Sequence, residues 1–192
     1  SIDEEGGRVN RLKTKYGFPK TVTAQYLGGL DNVDTTLYYA KQTAGILYKL
    51  GVNMNIAPSV DVNVNPANPV IGKIGRSYSA DPELVAKHAQ AWIEGHDLFG
   101  VATVLKHFPG HGSSKNDSHL GLTDVSSTWR FEELLPYKAL LDSGKVHAIM
   151  TAHIVNNVLD ESKLPATLSD KVINDVLRGF MGYEGVVVSD DM

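Results

Sequence analysis

The chain alternates between continuous apolar runs and longer segments whose apolar positions recur every three or four residues. From Thr35 to Leu50 the positions Leu37, Ala40, Ala44, Leu47 and Tyr48 fall on one helical face, and Gly51 stops the pattern. Val52 to Pro58 then reads as a short buried strand, with the polar exit Ser59-Val60-Asp61-Val62-Asn63. Asp81-Pro82 supplies an N-cap and a first-turn proline, which predicts a helix to about His96. Val101 to Leu105 is the next strand, Phe131 to Leu141 a helix, and Val146 to His153 a strand. Ser169 to Arg178 is helical, and Gly185 to Asp190 closes the series as a strand. The pattern predicts four strand–helix steps, with no repeat and no low-complexity linker.

Strands that are apolar throughout and separated by single amphipathic helices predict a parallel sheet covered by helices. The clear strands end in polar groups: Asp61, Lys106-His107, His153 and Asp190. An open doubly wound sheet gathers its site residues near one switch point, whereas a (β/α)8 barrel collects them from every strand end around one mouth, so the barrel is favoured. No glycine-rich phosphate loop is present to support the open-sheet alternative. A full barrel takes about 250 residues, and this chain has 192. The expectation is therefore one catalytic barrel domain over residues 1–192, truncated at both ends, with about strands three to seven present and two sheet edges unpaired.

Composition narrows the chemistry. The 18 basic residues are interspersed among 22 acidic ones, giving net charge −4 and no run of like charge, which argues against nucleic acid as partner and for a small neutral ligand such as a sugar. The absence of cysteine excludes disulfides, thiolate metal sites and a cysteine nucleophile, and leaves the compartment open. No apolar stretch is long enough to cross a membrane, and the acidic, glycine-rich start is not a signal peptide; it reads like the middle of a protein.

The densest chemistry lies at Lys106-His107-Phe108-Pro109-Gly110-His111-Gly112 and Asp117-Ser118-His119, directly after a predicted strand. Lys106 and His107 are costly to bury unpartnered, so they mark either a polar ligand or an internal ion pair. Asp117 beside His119 can fix the imidazole tautomer and stabilise its cation, making an acid/base pair; the alternative is two solvated loop residues. Asp190 reads as a nucleophile or base, or else Asp190 or Asp191 caps a following helix. His107, His111, Asp117 and His119 also offer enough nitrogen and oxygen for zinc, although Pro109 and Gly110 forbid a helical histidine pair. His88 and His96 fall within a helix and read as surface or packing residues. His147 is at the start of a strand, the wrong end for catalysis, while His153 is at the right end.

These residues carry a resemblance to glycoside hydrolase family 3, in its single-domain β-N-acetylglucosaminidase branch of peptidoglycan-recycling enzymes. The matching pieces are Asp3-Glu4-Glu5-Gly6-Gly7-Arg8-Val9, Ala57 to Val62, Gly75-Arg76-Ser77-Tyr78, Lys106 to Gly112 with Asp117-Ser118-His119, and Ser189-Asp190-Asp191-Met192. The resemblance implies a retaining exo-glycosidase with Asp190 as nucleophile and His119, oriented by Asp117, as acid/base. It implies sugar binding by Asp3, Arg76, Lys106 and His107, gives Arg8 a structural duty, and calls for no metal or organic cofactor. A monomer acting on a small carbohydrate is expected. Family 3 β-glucosidases generally lack the Asp-Ser-His loop, so its presence points to N-acetylglucosaminides; phosphorolysis, a metal-dependent barrel hydrolase using His107, His111 and His119, and an inactive carbohydrate-binding fragment stay open.

Overall fold

The structure, a computed structural model, describes residues 1–117 and 121–191. Its principal sheet contains β1 (Met54–Asn55), β2 (Ala102–Phe108), β4 (Ala148–Thr151) and β6 (Val186–Ser189), all parallel and in the order β1-β2-β4-β6. Ile2 adds a parallel bridge to Asn55, so the N-terminal residues take a fifth position at the β1 edge. A minor parallel pair, β3 (Thr123–Asp124) and β5 (Ile154–Val155), lies in connections that the apolar pattern did not mark as strands. The chain thus forms part of a (β/α) barrel, as the pattern of strands and helices predicts.

Two helices pack behind the first strands, and their sequences explain why. In α2 (Val33–Lys49), Asn32 Oδ1 accepts the Thr35 N–H at 2.9 Å, and Thr36, Ala40, Thr43, Ala44 and Leu47 form the buried face. In α3 (Pro82–Asp97), Asp81 caps the Glu83 N–H as expected, and Val85, His88, Ala89, Trp92, Ile93 and His96 are buried. The two helices meet at Gly95, where a Cβ would fall 2.4 Å from the Ala40 Cβ. His88 and His96 are therefore packing residues, not surface ones: His88 shares a 2.7 Å bond with Thr36 Oγ1, and burial pushes His96 down to about 4. A short helix at Ala24–Leu30, α1, precedes α2 and α3 and is not marked by the apolar pattern.

The remaining elements are shorter or wound differently than predicted. The helical segment from Phe131 begins as a 3-10 turn, Phe131–Leu134, before α4 (Leu135–Asp142). The helix expected from Ser169 to Arg178 is α5 (Lys171–Phe180), wound with the wider π pitch. The strands expected over Val52–Pro58 and Val146–His153 keep ladder pairing only at Met54–Asn55 and Ala148–Thr151.

Alternation along the parallel strands separates two layers. Leu105 and Ile149 join the large core under the helices, with Val85, Ile93, Phe108, Tyr137 and Leu140. Val104, Ala148 and Met150 point to the other face, packed with Met54, Ile56 and Val188. Lys106 follows Val104 by two residues and so begins on this inner face.

Candidate active site

A cavity of about 680 Å3 opens where the strands end, within the ordinary size range for small-ligand sites. Its lining includes Asp3, Arg8, Arg11, Arg76, Lys106, His107, Asp190 and Asp191, over apolar side chains from Val9, Ile56 and Met150. Thus Asp190 and all four residues expected to bind sugar share one cavity, although they come from four separate stretches of sequence. Asp117 is half-buried in the loop after β2. His119 lies outside the described residues.

The pairing of β2 with β4 explains how two successive polar residues reach the cavity. Leu105 pairs with Ile149 and Phe108 with Thr151, so three steps along β2 match two along β4. The extra residue is a bulge at Lys106-His107, a device that re-aims side chains beside active sites. The Lys106–His107 peptide is cis, as are the bonds preceding Pro58 and Pro109.

Lys106 is 2% exposed and lies between two carboxylates, at 2.5 Å from Asp3 Oδ1 and 2.6 Å from Glu5 Oε1. Glu5 also takes a two-pronged contact from Arg76, with Nε to Oε2 at 2.9 Å and Nη2 to Oε1 at 2.7 Å. Burial alone would raise the Glu5 carboxyl, but Arg76 and Lys106 overcome it and hold the group well below the usual carboxylate range. Arg76 loses by burial and gains more from Glu5, so its guanidinium is raised further. Lys106 thus makes the internal ion pair that the sequence posed as one alternative, and it also lines the cavity.

His107 is fixed from both sides. Its Nδ1 is 2.6 Å from Asp61 Oδ2, and its Nε2 is 3.0 Å from Arg76 Nη2. Arginine has only protons to give, so Nε2 accepts and Nδ1 donates to Asp61. Both ring nitrogens are thereby engaged, and a metal ion at Nε2 would have to displace a guanidinium. Asp61 is fully buried and also accepts Ser59 Oγ at 2.9 Å and the His111 N–H at 2.7 Å. Burial opposes its ionisation, yet His107 and His111 keep its carboxyl below the ordinary value. His111 stands edge-on to His107 with ring centres 5.8 Å apart, and burial lowers its basicity.

Asp190 follows β6, with its N–H on the Thr151 carbonyl at 3.1 Å and its Oδ1 accepting the Asp191 N–H at 2.8 Å. That backbone anchor continues the β4–β6 ladder by one step beyond Ser189 and delivers the carboxylate to the cavity. His153, at the end of the neighbouring strand, shares a 2.9 Å contact with the Asp191 carbonyl.

A model of the glycosyl hydrolase family 3 N-terminal domain matches residues 1–192. The chain belongs to glycosyl hydrolase family 3. Among solved structures, it superimposes with TM-score 0.91 on a family 3 β-N-acetylglucosaminidase from Paenibacillus sp. str. FPU-7, at 43% identity over 98% of this chain and 36% of that one. A β-N-acetylhexosaminidase from Beutenbergia cavernae gives TM-score 0.90 at 35% identity, over 99% of this chain and 57% of that one. The β-hexosaminidase of Tolumonas auensis is 36% identical over 100% of this chain and 57% of its own length. This family 3 chain therefore spans little more than half the length of that relative.

Four residues of this family 3 site take parts that the sequence alone does not assign. Arg8, assigned a structural duty, is exposed and lines the cavity. Glu5 stands only within a motif and Asp61 only as a strand-end polar group in the sequence reading, yet they hold Lys106, Arg76 and His107 in place. Period-two alternation was the available signal for Glu5: in an extended Asp3-Glu4-Glu5 the first and third side chains share a side. Glu4 turns away, its Oε2 accepting the Arg11 and Leu12 N–H groups at 2.6 and 3.0 Å. Arg11, overlooked as well, reaches Asp3 Oδ2 at 3.2 Å beside the cavity.

Proposed function

We propose that this chain carries the barrel of a retaining, exo-acting β-N-acetylglucosaminidase that removes terminal N-acetylglucosamine from peptidoglycan fragments or related glycosides, working as a monomer. The observation that carries this reading is the meeting of Asp190 with Asp3, Arg76, Lys106 and His107 around one cavity. The names of the relatives, β-N-acetylglucosaminidase and β-hexosaminidase, agree with it.

In this reading the charged cluster hydrogen-bonds the hydroxyls of the non-reducing sugar and fixes its anomeric carbon against Asp190. The Asp190 carboxylate attacks that carbon as the bond to the leaving oxygen breaks, forming a glycosyl ester. His119, assigned from the sequence with Asp117 as its partner, gives its proton to the leaving oxygen. It then takes one from the water that opens the ester, and Asp190 is released. Lys106 and Arg76, both held by Glu5, meet the substrate as fixed cations, so little reorganisation is needed when charge develops.

The test is hydrolysis of a chromogenic β-N-acetylglucosaminide against the matching β-glucoside, with and without EDTA, on the longest natural form of the chain. Chelator-independent release from the N-acetylglucosaminide alone is expected. Abolition by EDTA would shift the histidine loop to a metal site, and equal release from both sugars would remove the N-acetyl specificity.

A further inference from the structure

Glu133 is a fully buried carboxylate that the reaction proposed above does not use. It sits in the 3-10 turn Phe131–Leu134 that leads into α4, and its Oε1 accepts the Arg130 N–H at 3.3 Å, as a helix-capping glutamate does. A cap would be complete with that bond. The second oxygen goes elsewhere: Oε2 accepts the Ser113 N–H at 3.2 Å, from the histidine loop.

The same stretch of chain grips the loop at two more points. Trp129 Nε1 donates to the Pro109 carbonyl at 3.0 Å. Gly110, at φ +118°, lies so close to Glu133 that a Cβ on it would fall 2.5 Å from the Glu133 Cβ. The near end of the loop is tied independently, through the His107 ring and the His111 N–H, to Asp61. The run from His107 to Ser113 is thus held between two buried carboxylates. Asp117 follows on the far side of the second one.

We propose that Glu133 is a positioning residue for the acid/base loop: by holding the Ser113 amide, it sets where the chain delivers Asp117. The role rests on the assignment of this loop to proton transfer. Burial above all, with the Asp61 charge adding to it, pushes the Glu133 carboxyl up to about 7, against the pull of Ser113 and the Arg130 N–H. The anchor therefore changes charge near neutrality. Among the described residues, Asp61 from the exit of β1 raises it, and Glu133 in turn raises the buried Tyr137 hydroxyl of α4.

The experiment is Glu133→Gln in the longest natural form of the chain, beside Glu133→Asp. In a glutamine the amide NH2 replaces one of the two oxygens, so it faces either the Arg130 or the Ser113 N–H, donor against donor. For Glu133→Gln we expect kcat on a chromogenic β-N-acetylglucosaminide to fall about tenfold, with KM within about twofold because the sugar cavity is untouched. The kcat–pH profile should lose the inflection near pH 7 that Glu133 contributes while that of the His119 acid/base stays, and Glu133→Asp should recover part of kcat. Amide hydrogen exchange over 110–117 should accelerate about tenfold or more, with 3–11 unchanged. A cap without a positioning role predicts the reverse: loop exchange like the wild type and an unaltered pH profile, and that result would overturn the proposal. Should Glu133→Gln fail to fold, the same readouts on Glu133→Asp decide. If the wild type releases neither sugar, the assigned reaction fails, while loop exchange still shows whether Glu133 holds the loop.

Discussion

Lys106 and Glu5 meet at 2.6 Å in the cavity wall, a contact between the bulge of β2 and the N-terminal segment. Because Glu5 holds Arg76 as well, it is the counter-charge for two cations that are themselves almost wholly buried. Removing one partner from such a group leaves uncompensated charge, which costs far more than a surface ion pair is worth. Glu5→Gln should lower the unfolding free energy at pH 7 by about 3 kcal/mol, measured by urea denaturation. The Glu5 carboxyl is depressed in the folded state, so its stabilisation is present above the ordinary carboxylate range and is lost as pH falls below it. The difference between wild type and variant should accordingly shrink in acid; a gap independent of pH would contradict the ion-pair account.

Asp190 contributes little to packing, being half-buried at the end of β6 with its backbone already anchored to Thr151. Asp190→Ala should reduce turnover of the N-acetylglucosaminide by more than about a thousandfold while the circular dichroism spectrum and melting temperature stay near those of the wild type. Turnover at the wild-type rate would remove Asp190 as nucleophile.

Glu133 gives the opposite pH signature to Glu5. Its folded-state value is raised from 4.5 to about 7, so its contribution is fully present below the unfolded value and is lost as pH rises through the folded one. Relative to Glu133→Gln, the wild type should lose about 3 kcal/mol of stability between pH 4.5 and pH 7.5. Parallel stability–pH curves for the two proteins would show that the carboxyl titrates normally.

Gly95 is where α3 touches α2, with no space for a methyl group against Ala40. Gly95→Ala gains helix propensity of about 1 kcal/mol. It should nevertheless destabilise the protein by about 1–3 kcal/mol through overpacking, with KM unchanged because the contact is remote from the cavity. Increased thermal stability would mean that the helices separate at little cost.

Much of this architecture was legible without coordinates, for physical reasons visible in particular residues. Asp81 and Pro82 announce the start of α3 because capping and a fixed φ are local properties, and the apolar face of α2 follows from helical periodicity alone. Asp190 could be placed at a strand end because a continuous run of valines precedes it. The boundaries of β1 and β4 could not, since ladder pairing depends on a neighbour that the segment itself does not specify.

What the sequence determined by itself was the fold class, the family motifs and the group of residues around which a site could form. Tertiary structure decided the rest. A one-residue bulge turns Lys106 and His107 toward the cavity, and Asp61 with Arg76 determines the tautomer of His107. Glu5 becomes the hub of an ion cluster, and Glu133 acquires a carboxyl poised near 7. Charge, desolvation and donor direction act through space over a few ångströms, and residues distant along the chain come within that range only once the sheet and its helices have packed.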